Sequence, residues 1–289
     1  MDKVTTKEEL IFHLSDLHIG EVVKLPSNKY NQMVAKHRLE YYFDKVLHIA
    51  KNIYGQVIPI EKIHIILTGD MLHNETMRGS AKMSADLNIV EQIECASELV
   101  VNGMKKMATW PTIKEINVYA VRGNHGRIGK PADNADDANY DIATYNRMKL
   151  EYNLAAATNK RLSEIKNKFM VATNIYLPVK ICGWNFVLEH LDGVKGQLGI
   201  PYYGITRRRD LRYKTLQGKM DYYLGGHFHR CYKEDDGTVT TLLCPSLVGA
   251  NSYGEYFGYG NVSGQMMYLI HPKHGITVDR FINTSHIQE

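Results

Sequence analysis

"LIFHLSDLHIG", residues 10–20, is an apolar run that stops at a polar motif. Residues 10–14 read as a short buried strand, and "SDLHIG" sets Asp16 and His18 just past its end. The same pattern recurs twice. "EKIHIILTGD" (61–70) ends on Asp70, with His73 behind it in "TGDMLHNE". "IKEINVYAV" (113–121) runs into "RGNHG", which offers Asn124 and His125. Between these strands, residues 29–54 carry apolar residues at helical spacing (Met33, Leu39, Tyr42, Phe43, Val46, Leu47, Ala50). So do residues 83–108 (Leu87, Val90, Ile93, Leu99, Met104). Strand and helix alternate, with a polar motif after each strand, which argues an α/β fold. Sites in such folds lie beyond the carboxyl ends of the strands, where all three motifs fall.

The second half leans toward β structure. Residues 134–168 read as helical and polar, within an insertion of about 130–172. Short strand candidates follow at 178–182, 184–189, 221–225, 238–243, 264–271 and 275–282, punctuated by Gly and Pro. They suggest a second sheet packed on the first. No internal repeat or linker interrupts the chain, so one domain over 1–289 is expected.

Bulk properties bound the reading. A chain of 289 residues, 44% hydrophobic and 23% charged, buries a sizeable core. A net charge of +4 permits an anionic substrate without demanding nucleic acid. Cys95, Cys182, Cys231 and Cys244 form no CxxC pair, so a zinc knuckle is excluded. Such scattered cysteines read as buried small side chains in a reducing compartment. The N-terminus "MDKVTTKEEL" is charged and has no secretory-signal pattern. No apolar stretch approaches the ~18 residues of a membrane span. Cytoplasm is the expected location.

Two further motifs complete a series of five. "VLEHLDG" offers His190, and "LGGHFHR" offers His227 and His229. In Asp16-Leu17-His18 and His227-Phe228-His229 the polar residues stand two apart, so along an extended strand end each pair faces one way. Gly69, Gly123 and Gly226 stand beside polar residues, where they permit tight turns and close backbone approach. Taken singly, each His or Asp is an ordinary polar loop residue. Five ordered motifs are another matter, because independent accidents multiply. Together they offer Asp16, Asp70, Asn124, His18, His190, His227 and His229 as ligands, with His73 and His125 over. Mixed oxygen and imidazole donors suit Mn, Fe, Zn or similar ions. Seven ligands exceed one ion and suit two that share a carboxylate, the arrangement that serves phosphoryl displacement.

The order D-x-H, GD, GNH, H, GHxH resembles the calcineurin-like metallophosphoesterase superfamily over about residues 11–250. "FHLSDLHIG" and "GDMLH", with His73 three after Asp70, look most like the nuclease subunit of the SbcCD-type DNA break-processing complex. The resemblance implies a four-layer αββα sandwich of two sheets flanked by helices. It implies two divalent ions, Mn2+ first, with Fe, Zn or Mg as alternatives. Asp16, His18 and His229 would hold one ion, Asn124, His190 and His227 the other, with Asp70 bridging. A hydroxide activated by both ions would attack the phosphodiester. His125 and His73 would lie near the substrate, His125 contacting the scissile phosphate or protonating the leaving oxygen, since a His near its ordinary pKa of ~6.5 can act as general acid. DNA is then the expected substrate. The branch dimerises through helices of this domain, which leaves a homodimer open. Its DNA-capping domain and ATPase-binding tail are expected to be absent, which leaves a partner ATPase open. One residue departs from the pattern: Gly126 stands where the branch has an acid. His125 is therefore expected to be held by another group, His73 or a backbone carbonyl.

The basic run "GITRRRDLRYK" (204–214) lies between two ligand motifs. Arg207, Arg208, Arg209 and Arg212 are candidates for gripping a phosphate backbone, against the plainer reading of a solvated helix face. "GANSYGEYFGYGNVSG" (249–264) sets Tyr253, Tyr256, Phe257 and Tyr259 among glycines and reads as a turn with packed aromatics rather than a base-stacking loop. "RIGKPADNADDANYD" (127–141) reads as a loop leading into a helix, with its acids at no recognised metal spacing. A phosphatase or cyclic-nucleotide phosphodiesterase on the same centre is the alternative function. A non-enzymatic scaffold ranks last, because no ligand is missing.

Overall fold

A computed structural model describes residues 7–76, 82, 84–130, 135–195, 201–256 and 262–289. In chain order its elements begin with β1 (Glu8–Leu14), β2 (Val23–Lys24), β3 (Lys29–Tyr30) and α1 (Gln32–Ile49), which a π-turn over Ala50–Tyr54 continues. Then come β4 (Ile60–Leu67), α2 (Ile89–Ala108), β5 (Glu115–Ala120), α3 (Tyr140–Thr158), α4 (Lys160–Ser163) and β6 (Lys166–Val171). The second half holds β7 (Tyr176–Ile181), β8 (Trp184–Glu189), α5 (Tyr202–Thr215), β9 (Tyr222–Gly225), β10 (Tyr232–Asp235) and β11 (Thr240–Leu243). It closes with α6 (Ser252–Tyr256), β12 (Gly264–His271) and β13 (Gly275–Asn283).

Two main sheets form. One has the order β13-β12-β1-β4-β5-β6, the other β10-β11-β9-β8-β7. Strands β1, β4, β5 and β6 run parallel, as do β8, β9 and β11. Alternation along each strand divides the core. Leu10, Phe12 and Leu14 of β1 face α1, α2 and α3, together with Ile63 and Ile65 of β4. Ile11, Ile66 and Tyr119 point the other way and meet Phe186, Leu188 and Leu224 of the second sheet. Val187, Tyr223 and Leu243 then cover the outer face of that sheet against Ile205 of α5. Helix, sheet, sheet, helix is the expected four-layer order, and each layer boundary follows from the two-residue period of a strand.

Three expectations change. First, 130–172 is no insertion. α3 packs on α2, and β6 pairs in parallel with β5, so β5-α3-β6 is a crossover of the main sheet. Second, β12 and β13 belong to the first sheet, where β12 pairs antiparallel with β1. Third, two residues assigned to apolar helix faces are exposed, Met33 by 55% and Val90 by 61%. Both sit in the first turn of their helices, just after the Asn31 and Asn88 caps and away from the packed stripe. All four cysteines are free thiols, but of them only Cys244 is buried and Cys231 is exposed. Among the described residues, no helix is long and apolar enough to cross a membrane.

Candidate metal centre

Strands β1, β4 and β5 are neighbours, so the loops after them lie side by side. Backbone hydrogen bonds continue the pairing into those loops. Asp16 N–H donates to Gly69 O at 3.0 Å and His18 N–H to Asp70 O at 3.1 Å. From the second sheet, the ends of β8 and β9 bring His190 and His227 to the same place. His190 Nδ1–H donates to Thr68 O at 2.7 Å, and His227 N–H donates to Asp16 Oδ2 at 2.9 Å.

The backbone turns sharply at the site. Asp16, His18, Asp70, His227 and His229 all have φ between 46° and 71°. Non-glycine residues rarely adopt this left-handed region, where each costs on the order of 1 kcal/mol or more, and such strain collects at functional sites. It also corrects the expectation of extended strand ends. Asp16 and His18 do reach one cluster, but His227 and His229 part company.

The donor atoms fall into two trios, Asp16/His18/His229 and Asp70/His190/His227. In the first, His229 Nε2 lies 3.3 Å from Asp16 Oδ1 and 3.1 Å from His18 Nε2. In the second, His190 Nε2 lies 3.1 Å from Asp70 Oδ2 and 3.0 Å from Asn124 Oδ1. Two ligands each about 2.1 Å from one ion stand roughly 3.0 Å apart at a right angle and about 3.4 Å at the tetrahedral angle. The donor spacing therefore fits ions. His190 also fits as a ligand because its Nδ1 proton is committed to Thr68 O, which turns the Nε2 lone pair inward.

Electrostatics agrees. Burial opposes ionisation of Asp16, yet His229 and then His190 hold it below the usual carboxylate range. Burial likewise opposes ionisation of Asp70, and His190 followed by His125 holds it well below that range. Burial presses His190 down, but Asp70 and Asp16 raise it to about 9. His229 is raised in the same way, Asp16 outweighing burial. Burial and His190 push His227 down to about 3, and burial with His125 and His229 takes His18 well below its ordinary value. Each trio thus holds a carboxylate, a cationic imidazole and a neutral one. The buried carboxylates call for positive charge, and a divalent ion in place of the imidazole proton satisfies all three donors. His18 Nδ1 is buried with no hydrogen-bond partner.

Beside the first trio, His18, His73 and His125 offer ring nitrogens within 4.8 Å of one another. His125 Nδ1–H donates to the backbone carbonyl of His73 at 2.8 Å, so a backbone carbonyl does hold His125, and it is that of His73. His125 Nε2 is left facing away from that carbonyl. The His125 backbone N–H donates to Asp70 Oδ1 at 2.7 Å. Gly126 has its own reason: a Cβ there would run into the Asn139 side chain and the Asp141 amide. At Gly123 a Cβ would run into the Asp70 carboxylate.

The basic run divides. Arg209 is buried and pairs with Glu234 at 3.3 Å and Asp236 at 2.6 Å. Arg212 is buried and pairs bidentately with Glu189. Both are committed inside α5's packing, so they are not displayed to a ligand as the run suggested. Arg207 is exposed, and Arg208, bound to Glu189 at 3.2 Å, lies against Gly193 on the loop after His190. Phe257, Tyr259 and the side chains of Tyr253 and Tyr256 lie outside the described residues. His37, His48, His64, His271, His274 and His286 join none of the three clusters found among the described residues.

Three supporting groups went unread in the sequence. Gln265 of β12 donates to Ser15 O and Pro245 O and accepts from Ser15 N–H, stitching the first ligand loop down. Arg127 pairs with Asp192, tying the loop after β5 to the loop after β8. Asp141, in the first turn of α3, accepts three backbone N–H groups from the ligand loops. Burial and the Asp70 charge push its pKa up to about 6, while the backbone donors at Gly123 and Met71 favour the carboxylate form. A signal for Asp141 was present, an Asn-x-Asp helix start closely following the GNH motif.

The sequence model described as Calcineurin-like phosphoesterase matches residues 10–231. No curated protein matches the sequence. Similar solved structures include Vps29 complexed with Zn2+ from Entamoeba histolytica, at 12% identity, covering 95% of this chain and 99% of that one, with a TM-score of 0.41. Another is Vacuolar Protein Sorting 29 from Cryptosporidium parvum, at 15% identity, 96% and 99% coverage and a TM-score of 0.37. An archaeal phosphodiesterase matches at 12% identity, 95% and 99% coverage and a TM-score of 0.38.

Proposed function

The chain belongs to the calcineurin-like phosphoesterase family, and from that premise we propose that it is a dinuclear metal-dependent phosphodiesterase acting on DNA, a nuclease of the SbcCD-type branch. Membership implies metal-dependent phosphoester hydrolysis. The donor spacing carries the two-ion reading: 3.0–3.3 Å between neighbouring ligand atoms in two trios. Asp16, His18 and His229 would hold one ion and Asn124, His190 and His227 the other. Asp70 would bridge, since its charge is felt by His190 in one trio and by His18 and His229 in the other. Such oxygen and imidazole donors suit Mn, Fe or Zn, and the resemblance to the nuclease branch puts Mn2+ first among them. Bound there, two divalent ions would lower the pKa of an attacking water and neutralise charge on the phosphoryl oxygens.

The chain's own residues do the rest. His125 is fixed through Nδ1, so its Nε2 can donate to a phosphoryl oxygen or to the leaving oxygen. His73, with its ring 6.1 Å from that of His125, lines the same side and supports the nuclease reading. Of the basic run, the exposed Arg207, and Arg208 beside the loop after His190, would be the members to meet a phosphate backbone.

The test is a substrate panel. Protein loaded with Mn2+ is offered linear, single-stranded and closed circular DNA beside cyclic nucleotides and bis(4-nitrophenyl) phosphate. DNA degradation is expected. His125→Gln should lower kcat by about 10²–10⁴ while metal content stays unchanged. Turnover of small diesters with all DNA left intact would move the assignment to a small-molecule phosphodiesterase. Hydrolysis of nothing in the panel would overturn it.

A further inference from the structure

Asp141 is a carboxylate with no accessible surface, seated under the metal centre. Its Oδ2 accepts from Asp70 N–H at 3.0 Å and from Gly123 N–H at 2.8 Å, and its Oδ1 accepts from Met71 N–H at 3.1 Å. These amides belong to two different loops, one carrying Asp70 and the other Asn124. One of them is the amide of Asp70 itself, whose φ of 54° is left-handed. The neighbouring Asn139 works on the same junction. Its side chain accepts from Asp141 N–H at 2.8 Å and donates to Gly123 O at 3.0 Å. Asn139 is also the N-cap of α3. A long, packed helix therefore presents one carboxylate and one amide to the junction between the two loops.

We infer that Asp141 is a positioning residue that sets the spacing of one ion site, the one formed by Asp70, Asn124 and His190, more than that of the other. The reason is local. Three charge-assisted hydrogen bonds to a buried carboxylate fix the Asp70 backbone and press the Asn124 loop against it. The Asn124 Oδ1, His190 Nε2 and Asp70 Oδ2 atoms converge just above. The first trio meets this contact only indirectly, through Asp70 and the pairing of its loop with Gly69 O and Asp70 O. Asp16 has supports of its own in Gln265, by way of Ser15, in Ser246 and in the His227 amide. The inference rests on the dinuclear reading above.

The discriminating measurement is a metal-binding isotherm, followed by calorimetry and by Mn2+ electron paramagnetic resonance, on the full chain. Asp141→Asn keeps the size but turns an N–H donor toward a backbone N–H. It should weaken one of the two Mn2+ sites by about 10–100-fold and the other by much less. Ser97→Ala is the control. It deletes another buried hydrogen bond to the same helix, Ser97 OH to Thr144 O at 3.2 Å, without touching either ligand loop. It should lower Tm and leave both affinities alone. Should Asp141→Asn not fold, Asn139→Ala loosens the same junction and should weaken the same site to a smaller degree. Wild-type affinity at both sites, or an equal loss at both, in the folded Asp141→Asn protein, or in Asn139→Ala where that is the variant measured, would overturn the inference, leaving Asp141 a mere support of the fold. A wild-type protein that takes up no Mn2+ would instead overturn the dinuclear reading itself, so the two failures are distinguishable.

Discussion

Replacing Asp70 with alanine is expected to reduce phosphodiester hydrolysis by roughly a thousandfold or more, the scale set by loss of preorganised charge at a phosphoryl-transfer centre. Asp70 touches one trio directly and the loop of the catalytic candidate His125 as well. Asp70 Oδ2 stands 3.1 Å from His190 Nε2, and Oδ1 accepts the His125 amide at 2.7 Å. Its charge also reaches His18 and His229 in the opposite trio. Removing it leaves one divalent ion to be held by neutral donors alone and frees the loop that aims His125. Elemental analysis should show metal content falling from two ions per chain to at most one. Asp70→Asn separates the contributions. It keeps an oxygen for the His125 amide but halves the donor set for metal, so it should bind metal poorly while holding the His125 loop. Wild-type metal content in both variants would mean that the ions sit elsewhere. Full metal loss with activity retained would mean that hydrolysis does not use this centre.

What was legible followed from spacing. Apolar runs ending in SDLH, GD and GNH gave β1, β4 and β5 with ends at most three residues off, and the motifs fell on their carboxyl ends as α/β topology requires. What was illegible has particular causes. β6, "KNKFMV", and β10, "YKED", are edge strands with exposed or half-exposed residues throughout, so no apolar period marks them. The preceding helix therefore seemed to run on through β6. His227 and His229 part because left-handed φ angles replace the strand alternation that a two-residue spacing assumes. Asp141 acts on backbone amides, which leave no trace in residue spacing. Arg209 and Arg212 looked free because their partners Glu234, Asp236 and Glu189 lie 23 or more residues away along the chain.

That last pairing predicts the largest loss of stability. Glu189 is 2% exposed, and its carboxylate faces the Arg212 guanidinium at 2.6 Å and 2.9 Å. Tyr223 OH donates to the same carboxylate at 2.9 Å, and Arg208 approaches it at 3.2 Å. The guanidinium also lies 4.2 Å over the Tyr176 ring. Arg212→Met keeps most of the side-chain volume but leaves a buried carboxylate to Tyr223 OH and Arg208 alone, and breaking a buried pair in this way costs about 3–5 kcal/mol. For a chain of this size that is a fall in Tm of roughly 6–20 °C. Arg212→Met with Glu189→Leu removes both charges and should recover much of the loss, because apolar replacement of a whole buried pair is often neutral. The recovery has a ceiling, since Tyr223 OH and Arg208 then lack their acceptor. Glu189 directly precedes His190, so the pair also anchors the strand end that delivers a metal ligand. Below its lowered Tm, Arg212→Met should still hydrolyse substrate with a KM near wild type, because Arg212 spends its charge inside the protein. A variant with unchanged Tm and a raised KM would return Arg212 to the substrate and undo the division of the basic run.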